Sequence, residues 1–528
     1  MTKKSIDKWQ YGDFQTPIDL ARKVVEVLKR NHGVAPDVII EPTCGKGAFV
    51  LVSYEGFENA KILGYEINAE YVGVANSSLK GISATGRVAI NEGDFFNTDW
   101  TKILSELPGY LLIIGNPPWV TSSELGLLNS KNRPDKSNFQ NRKGIEAITG
   151  SGNFDISEWM LLQHINWLSK REGAIAFLCK YAVARKVMRQ VRQNTKHRFF
   201  GHIYPIDAKA HFNASVEACL FVLTTDVGNV ECQVYKSLNS VKPSHIIGER
   251  DGFMVSDVNH YEKWKHLREK EPRYIWRSGI KHDCAKIMEL EPVDDGCYKN
   301  GLGEIIKCEE EYIYPLLKSS DIGNGRITSY RKVVLITQKS VGENTSQIKI
   351  VAPKTWKYLI EHREYLDKRK SSIYKNKPDF SVFGIGPYSF KPWKIAISGL
   401  YKKLKFTLVG PLDGKIVALD DTVNFLSFDT EEEARFIYRL ITSIPALEFL
   451  KSMIFWDEKR PITIEILRRL SLKEMARELG ELAQYQSWTV QAQPSNFTGQ
   501  MELGIAESES KYSAGTRNES RESRGQSS

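Results

Sequence analysis

The chain has 528 residues, of which 41% are hydrophobic and 26% charged, and its formal net charge is +9. At roughly 100 to 200 residues per domain this length predicts two or three domains, and the positive charge favours a polyanionic partner. No apolar run approaches the ~18 residues that a membrane span needs, and no apolar stretch follows the charged N-terminus, so we expect a cytoplasmic protein without a membrane partner.

The first 230 residues alternate short apolar runs with helical patterns, a rhythm typical of βα units around a mostly parallel sheet. The apolar spacing predicts amphipathic helices over residues 18–30 and 157–169. Seven strands are predicted, over residues 38–40, 61–66, 87–91, 111–115, 173–179, 199–205 and 218–223. The sequence therefore predicts an α/β domain that binds ligands at the carboxyl ends of its strands.

A glycine-containing turn follows the first predicted strand and reads Glu-Pro-Thr-Cys-Gly-Lys-Gly over residues 41–47. Because Gly45 and Gly47 lack Cβ atoms, a ligand can approach this backbone closely, and we assign the turn, with Thr43, to cofactor binding. The glycine spacing fits neither the dinucleotide-binding fingerprint nor the P-loop, which disfavours a nicotinamide enzyme and an ATPase. Glu41 stands where its carboxylate can pair with an ammonium group.

Acidic residues also follow the second and third predicted strands. Glu66 ends the second strand, a position that suits hydrogen bonds to ribose hydroxyls. Asp94 follows the third strand, where its carboxylate can accept a hydrogen bond from an adenine amino group while Phe95 packs on the ring. Each acid taken alone is more often a loop residue or a helix cap, but their order along the strands favours one shared ligand. A ribose, an adenine and an amino-acid ammonium together describe S-adenosylmethionine.

The fourth predicted strand ends in Asn116-Pro117-Pro118-Trp119, the tetrad that we assign to catalysis. Its prolines stiffen the turn and remove two backbone donors, which leaves carbonyl acceptors free. An exocyclic amine such as adenine N6 is a poor nucleophile because its lone pair is delocalised into the ring. We expect the Asn116 carboxamide oxygen and the Pro117 carbonyl to bind its two protons, and Trp119 to stack on the base. The alternative is a strand-to-loop turn with a buried tryptophan.

The pattern changes after residue 240. Residues 241–484 are irregular and basic, and we predict a separate α+β domain whose clearest helices lie over residues 431–444 and 464–479. Residues 331–410 contain 17 lysines and arginines against five acidic residues, with aromatic residues interleaved between 365 and 406. Such a surface favours phosphate contacts, although lysine runs also occur on solvated faces. Residues 485–528 lose hydrophobicity, which predicts disorder.

A second basic cluster contains seven lysines and arginines between residues 180 and 198. This cluster either flanks the ligand cleft or forms one face of an exposed helix.

The motifs of residues 11–223, taken in order, resemble the catalytic domain of the gamma-class, adenine-N6-specific DNA methyltransferases of type II restriction-modification systems. This resemblance assigns Gln15, Thr16 and Pro17 to the N-terminal cofactor motif of the class. It also implies that Phe212 packs against an extruded adenine opposite Trp119. The implied fold is a Rossmann-like, seven-stranded S-adenosylmethionine-dependent methyltransferase domain over residues 1–240, followed by a target-recognition domain over residues 241–484.

The resemblance further implies direct in-line transfer of a methyl group to adenine N6 of double-stranded DNA, without a covalent enzyme intermediate. A target base inside a duplex has to be flipped out, at a cost of roughly a few kcal/mol. The product would protect the DNA from a cognate restriction endonuclease, the functional partner. Cys44 is then a packing residue, and because the seven cysteines contain no C-x-x-C pair, we expect neither a disulfide framework nor a metal site.

Three other functions share parts of this pattern. An amide or RNA-base N-methyltransferase uses the same tetrad, but such relatives are usually compact, whereas this chain continues into a long basic C-terminal region. A catalytically inert DNA-binding specificity protein is disfavoured by the intact tetrad and acids. A fused nuclease is disfavoured because the methyltransferase motifs begin by residue 13 and no nuclease constellation follows.

Overall fold

The computed structural model describes residues 14–80, 86–120, 155–169, 171–193, 199–225, 231–268, 273–293 and 296–490. Residues 1–13 and most of the predicted disordered tail, from residue 491 onward, lie outside the described residues. So do Lys196 and Arg198 of the second basic cluster.

A ten-stranded mixed sheet forms the N-terminal half of the described chain, in the order β3-β2-β1-β4-β5-β7-β6-β8-β9-β10. Its strands are β1 (Val38–Glu41), β2 (Lys61–Glu66), β3 (Val88–Glu92), β4 (Leu111–Gly115), β5 (Gly173–Lys180), β6 (Phe199–Ile206), β7 (Ala218–Thr225), β8 (Cys232–Val234), β9 (His245–Arg250) and β10 (Phe253–Val255). Its helices are α1 (Ile18–His32), α2 (Ala48–Gly56), α3 (Ala69–Ser78), α4 (Trp100–Ser105), α5 (Ile156–Leu168), α6 (Tyr181–Gln193) and α7 (Ala208–Phe212). β1 to β5 run parallel to one another, whereas β7 is antiparallel to both β5 and β6.

All seven predicted strands are present, with ends that differ from the prediction by at most two residues. The prediction of seven strands omits β8 to β10. β8 and β10 have only three residues each, too few to show alternation, and the burial of the six residues of β9 does not alternate. These strands extend the sheet beyond β6, so the sheet continues past residue 240, where we placed the domain boundary.

The central strands are buried on both faces, which explains why they read as continuous apolar runs. Side chains alternate between the two cores: Ile40 and Ile113 pack with α5, whereas Ile39 and Leu112 pack with α1. β1 lies between β2 and β4, so the strand order reverses there. In open α/β sheets, the crevice beyond the carboxyl ends of such strands binds ligands.

Two smaller sheets occur in the C-terminal half, in the orders β11-β20-β17-β18 and β14-β13-β12-β16-β15-β19. Their strands are β11 (Arg277–Ser278), β12 (Glu289–Pro292), β13 (Tyr298–Lys299), β14 (Ile305–Ile306), β15 (Ile313–Leu317), β16 (Lys332–Leu335), β17 (Trp393–Ser398), β18 (Thr407–Val409), β19 (Ala418–Leu419) and β20 (Val423–Phe428). The helices of this half are α8 (Val258–Trp264), α9 (Ala285–Met288), α10 (Ser319–Asn324), α11 (Ile348–Val351), α12 (Pro353–Glu361), α13 (Arg363–Asp367), α14 (Glu431–Ile441), α15 (Ile444–Lys451), α16 (Ile464–Leu467), α17 (Leu472–Glu478) and α18 (Leu482–Val490).

The helix predicted over residues 464–479 is two short helices, α16 and α17. Ser471 separates them: its hydroxyl caps α17 by accepting the N–H of Glu474, and its own N–H donates to the Leu267 carbonyl over 2.9 Å. The helix predicted over residues 431–444 ends at Ile441, and Pro445 lies in the first turn of α15. Apolar periodicity continues through both breaks, so spacing alone does not reveal them.

Four described cations of the second basic cluster pair with carboxylates: Lys180, Arg185, Lys186 and Arg192. Arg185 on α6 donates to Asp457 over 2.8 Å and to Glu458 over 3.2 Å, which joins the large sheet to the C-terminal half. Lys180 and Arg192 also form ion pairs, with Asp155 and Glu249. These cations therefore hold the fold together.

The last described helix, α18, extends six residues beyond residue 484, where we placed the end of the second domain. Its Tyr485 is 4% exposed, because the ring packs into the core that Phe428 and Phe449 also enter. No described helix is long and apolar enough to cross a membrane.

Candidate active site

The glycine turn after β1 depends on its two glycines. Gly45 and Gly47 have φ of +53° and +83°, in the left-handed region that favours glycine. A Cβ at Gly45 would also lie 2.8 Å from Gln15 Oε1. Gly47 precedes the first residue of α2, and its N–H donates to the Cys44 carbonyl over 2.8 Å. The turn is thus fixed at the carboxyl end of β1.

The Gln15-Thr16-Pro17 segment lies against this turn. The Lys46 N–H donates to Gln15 Oε1 over 3.0 Å. The Pro17 carbonyl accepts N–H groups from the first turn of α1, which anchors the segment to that helix. The structure therefore brings the two cofactor motifs together although about 30 residues separate them.

Glu66 is joined to the same turn. One carboxylate oxygen accepts the Gly45 N–H over 2.8 Å, and the other accepts the Asn68 N–H over 2.8 Å. The side chain is only 9% exposed. The two backbone N–H groups therefore fix the orientation of the carboxylate.

Three buried polar atoms near the ends of β1 and β4 have no hydrogen-bond partner among the described residues: Glu41 Oε2, Thr43 Oγ1 and Asn116 Oδ1. A buried unsatisfied polar group costs about 1–3 kcal/mol, so such atoms are rare unless a ligand uses them. Burial and the nearby Glu66 carboxylate raise the pKa of Glu41 well above its usual range, against a hydrogen bond from the Val50 backbone. A cation beside Glu41 would reverse that shift.

Asn116 and Trp119 are held by backbone carbonyls from other segments. Asn116 Nδ2 donates to the Phe14 carbonyl over 2.8 Å, which leaves Oδ1 as the free acceptor. Trp119 Nε1 donates to the Leu178 carbonyl of β5 over 3.1 Å. The tryptophan is 4% exposed, so the turn that holds it is rigid and well packed.

The Trp119 and Phe212 rings are neighbours, with centroids 5.1 Å apart and planes inclined by 72°. The Phe14 ring touches both, at centroid distances of 5.5 and 6.0 Å. A base stacked between two rings needs about 7 Å, two contacts of about 3.5 Å, so the rings have to separate to admit one. Phe14 was not among the predicted site residues, although an aromatic residue directly before Gln15 was the available signal.

Asp94 makes local contacts, whereas the Phe95 ring also packs against rings of α5. The Asp94 carboxylate accepts the Phe96 N–H over 3.0 Å and an Asn97 side-chain N–H over 2.6 Å. Phe95 is buried among aromatic rings that include Trp100. The carboxylate thus braces the turn after β3, and its contact with the adenine amino group stays a prediction.

Cys44 is a buried packing residue in the glycine turn. Its side chain is 5% exposed, and a Cβ at Gly64 would lie 3.2 Å from its sulfur. Burial, together with the Glu41 carboxyl group, raises the pKa of this thiol far above its usual value. The thiol therefore stays protonated, which suits packing and not nucleophilic attack.

Residues 4–280 match the N-6 DNA methylase family. The Type II methyltransferase M.NspV of Nostoc sp. is 45% identical over 473 residues, which span 89% of this chain and 98% of that protein. The Type II methyltransferase M.CvrRI of Paramecium bursaria Chlorella virus XZ-6E is 31% identical over 110 residues, 21% of this chain and 25% of that protein. A structure of the Type IIL restriction-modification enzyme MmeI in complex with DNA aligns over 89% of this chain and 67% of that chain, with 12% identity and a TM-score of 0.49.

The family match covers more than half of the chain, and the similarity to M.NspV covers almost all of both proteins. The glycine turn, the buried acids and the unsatisfied acceptors at the ends of β1 and β4 agree with a methyltransferase site. The chain therefore belongs to the N-6 DNA methylase family and is a DNA methyltransferase with S-adenosylmethionine as its cofactor.

Proposed function

We propose that the protein methylates N6 of an adenine that is flipped out of double-stranded DNA, as a gamma-class enzyme of a type II restriction-modification system. This methylation protects the DNA from a cognate restriction endonuclease. The observation that carries the proposal is Asn116 Oδ1, a buried acceptor without a partner among the described residues, at the end of β4 and next to the β1 strand that carries Glu41.

The residues around the glycine turn fit the polar groups of S-adenosylmethionine. When bound, this cofactor supplies an electrophilic methyl group on a sulfonium. Glu41 Oε2 pairs with the ammonium, and Thr43 Oγ1 adds a hydrogen bond. Glu66, whose carboxylate is oriented by the Gly45 and Asn68 N–H groups, binds the ribose hydroxyls. Gln15 holds the turn in shape through the Lys46 N–H.

The Asn-Pro-Pro turn activates the adenine amine by accepting hydrogen bonds from its two N–H groups. Because Asn116 Nδ2 is committed to the Phe14 carbonyl, the free amide atom is the oxygen. Among the described residues no backbone N–H donates to the Pro117 carbonyl, which provides the second acceptor. Two acceptors favour the pyramidal amine, whose lone pair then points at the methyl group. Rate enhancement comes mainly from this positioning.

The adenine can enter only if the Phe14, Trp119 and Phe212 rings, here called the three-ring cluster, move apart. Trp119 is anchored by its hydrogen bond to β5 and is 4% exposed, whereas Phe14 is half-buried. We therefore expect Phe14 to move while Trp119 and Phe212 take the two faces of the adenine. Their contacts with the base recover part of the unstacking cost.

The proposal is tested by offering the purified protein and labelled cofactor equal masses of duplex DNA, RNA and a glutamine-containing protein extract. We expect label in duplex DNA only. Label in RNA or protein would replace the proposal with one of the alternative amine or amide substrates, and absence of label in all three would indicate an inert specificity protein.

A further inference from the structure

A short segment of the C-terminal half reaches the rim of the candidate active site. Residues 399–405, here called the basic loop, carry Lys402, Lys403 and Lys405 between β17 and β18. The Lys402 ammonium forms an ion pair with the Glu217 carboxylate of the N-terminal half. The basic loop therefore bridges the two halves of the protein.

Glu217 lies on the segment that leads away from Phe212. Residues 213–217 connect α7, which ends at Phe212, to β7. The Glu217 carbonyl accepts the Tyr181 N–H over 3.0 Å, so this segment is fixed to the start of α6. Val216, beside Glu217, is 41% exposed. The basic loop thus contacts Glu217, which lies five residues along the chain from Phe212.

The backbone of the basic loop is held in place by its own half. The Gly399 N–H donates to the Thr422 carbonyl over 2.9 Å. Ser398 Oγ accepts the N–H groups of Leu400 and Tyr401, each over 3.2 Å. The Tyr401 ring packs on Gly323, where a Cβ would be only 2.6 Å from it. A loop fixed in this way presents its lysines at low entropic cost.

Several other cations of residues 365–406 are already engaged. Lys368 and Lys391 form ion pairs with Glu364 and Asp429. Arg369 and Lys394 donate to backbone carbonyls. The exposed lysines of residues 365–406 that have no ion pair within the described chain are Lys370, Lys375, Lys377, Lys403 and Lys405. Of these, Lys403 and Lys405 lie within three residues of Lys402, whose ammonium pairs with Glu217.

We propose that the basic loop binds the DNA phosphates that flank the flipped adenine, with Lys403 and Lys405 as phosphate ligands. Lys402 is a positioning residue, which holds the loop against the Phe212 segment through Glu217. Flipping a base rotates the DNA backbone on either side of it. Cations beside the base pocket then stabilise the flanking phosphates in their new position. This inference rests on the proposed function and adds the phosphate site that operates with it.

The phosphate site is tested with Lys403→Ala on a duplex whose recognition sequence has been identified by sequencing methylated positions. Lys473→Ala, an exposed lysine on α17, is the matched control. Because a charge-assisted contact is lost, we expect Lys403→Ala to raise the dissociation constant for DNA about tenfold. The slope of log affinity against log salt concentration should become shallower by about one. Replacing a phosphate beside the target adenine with a neutral methylphosphonate should weaken DNA binding by the wild-type protein similarly. The same replacement should not change DNA binding by the Lys403→Ala variant.

If the wild-type protein methylates the duplex but the effects of Lys403→Ala and of the methylphosphonate on DNA affinity are additive, the phosphate site is overturned and the proposed function is not. A wild-type protein that methylates no DNA overturns the proposed function and the phosphate site together.

The positioning role of Lys402 is tested with 2-aminopurine in place of the target adenine, because its fluorescence rises when the base leaves the stack. We expect Lys402→Met to reduce that rise and kcat severalfold without changing cofactor affinity, and Lys402→Arg to restore both by renewing the pair with Glu217. Equal fluorescence in Lys402→Met and wild type overturns this role.

Discussion

At the residue scale, Asn116 shows how one side chain can be both fixed and available. Its Nδ2 is bound by the Phe14 carbonyl, while its Oδ1 is buried without a partner among the described residues. A buried acceptor in this state is stabilised by a donor of matching geometry, and the amine of an extruded adenine provides two. Fixing the amide through one atom orients the other.

Asn116→Ala should therefore abolish methylation and preserve cofactor binding. Removal of one positioned polar group at a reacting centre costs about 100-fold or more in kcat. Asn116→Asp, which keeps an acceptor, should retain part of the activity. Turnover near the wild-type rate in Asn116→Ala, measured by label incorporation, would contradict the assigned role.

Glu41 should make cofactor affinity depend on pH. Its pKa in the free protein is raised by burial, whereas a bound ammonium favours the ionised form and lowers the pKa. Affinity should therefore increase as pH rises from the ordinary glutamate range through the raised pKa. The free energy of unfolding of the free protein should have the opposite trend. It should decrease as pH rises through this interval, because the folded state buries the ionised Glu41 carboxylate.

Titration calorimetry at several pH values measures this dependence. Glu41→Gln keeps the size of the side chain and removes its charge, so its affinity for S-adenosylmethionine should be weaker and flat over the same interval. An identical pH profile in both proteins would remove Glu41 from the ammonium site.

At the element scale, the sequence predicts the central sheet well because its strands are buried on both faces and give unbroken apolar runs. The two-residue strands of the C-terminal half, such as β11 and β13, are too short to show a period, and they form through tertiary contacts. The break between α16 and α17 depends on a contact of Ser471 with Leu267, which local spacing does not encode.

The sequence predicts those residues of the candidate site that lie at the ends of recognisable strands. Glu41, Glu66 and Asn116 all lie at or just after the ends of β1, β2 and β4. The contact of Phe14 with Trp119 was not predictable, because it joins residues about 100 positions apart. The pairing of Arg185 with Asp457 was hidden for the same reason, so a structural cluster of cations resembled a ligand surface.

Gly47→Ala should damage the element that shapes the cofactor turn. The residue adopts φ of +83°, and a Cβ there would lie 3.2 Å from the Ala75 side chain. A non-glycine residue in this conformation costs about 1–2 kcal/mol, so we expect a lower thermal midpoint and weaker cofactor binding. Gly73→Ala on α3 is the control: a Cβ at Gly73 meets nothing within 4 Å, and the change should stabilise the helix by about 0.5–1 kcal/mol. Equal effects of the two substitutions would refute the strain argument.

At the scale of the whole molecule, the two halves are joined by buried charge. Arg185 pairs with Asp457, whose side chain is 5% exposed, and the guanidinium lies 4.3 Å from the centre of the Phe455 ring. The ion pair between Lys402 and Glu217 is a second, more exposed link. The catalytic face and the basic half are thereby kept in one orientation, which a duplex contacting both requires.

Arg185→Ala should destabilise the protein by about 3 kcal/mol, because it leaves the Asp457 carboxylate buried without its partner. Arg22→Ala removes exposed pairs with Asp19 and Glu55 and should cost less than about 1 kcal/mol. Urea unfolding of both variants measures the difference. Similar midpoints would show that the contact between the halves contributes little.

The most direct test of the central claim is nucleoside analysis of duplex DNA after methylation by the purified protein. We expect all added methyl groups to be recovered as N6-methyladenine at one recurring sequence, and we expect Asn116→Ala to add none. Recovery of the methyl group on a cytosine, or N6-methyladenine formed equally by Asn116→Ala, would contradict it.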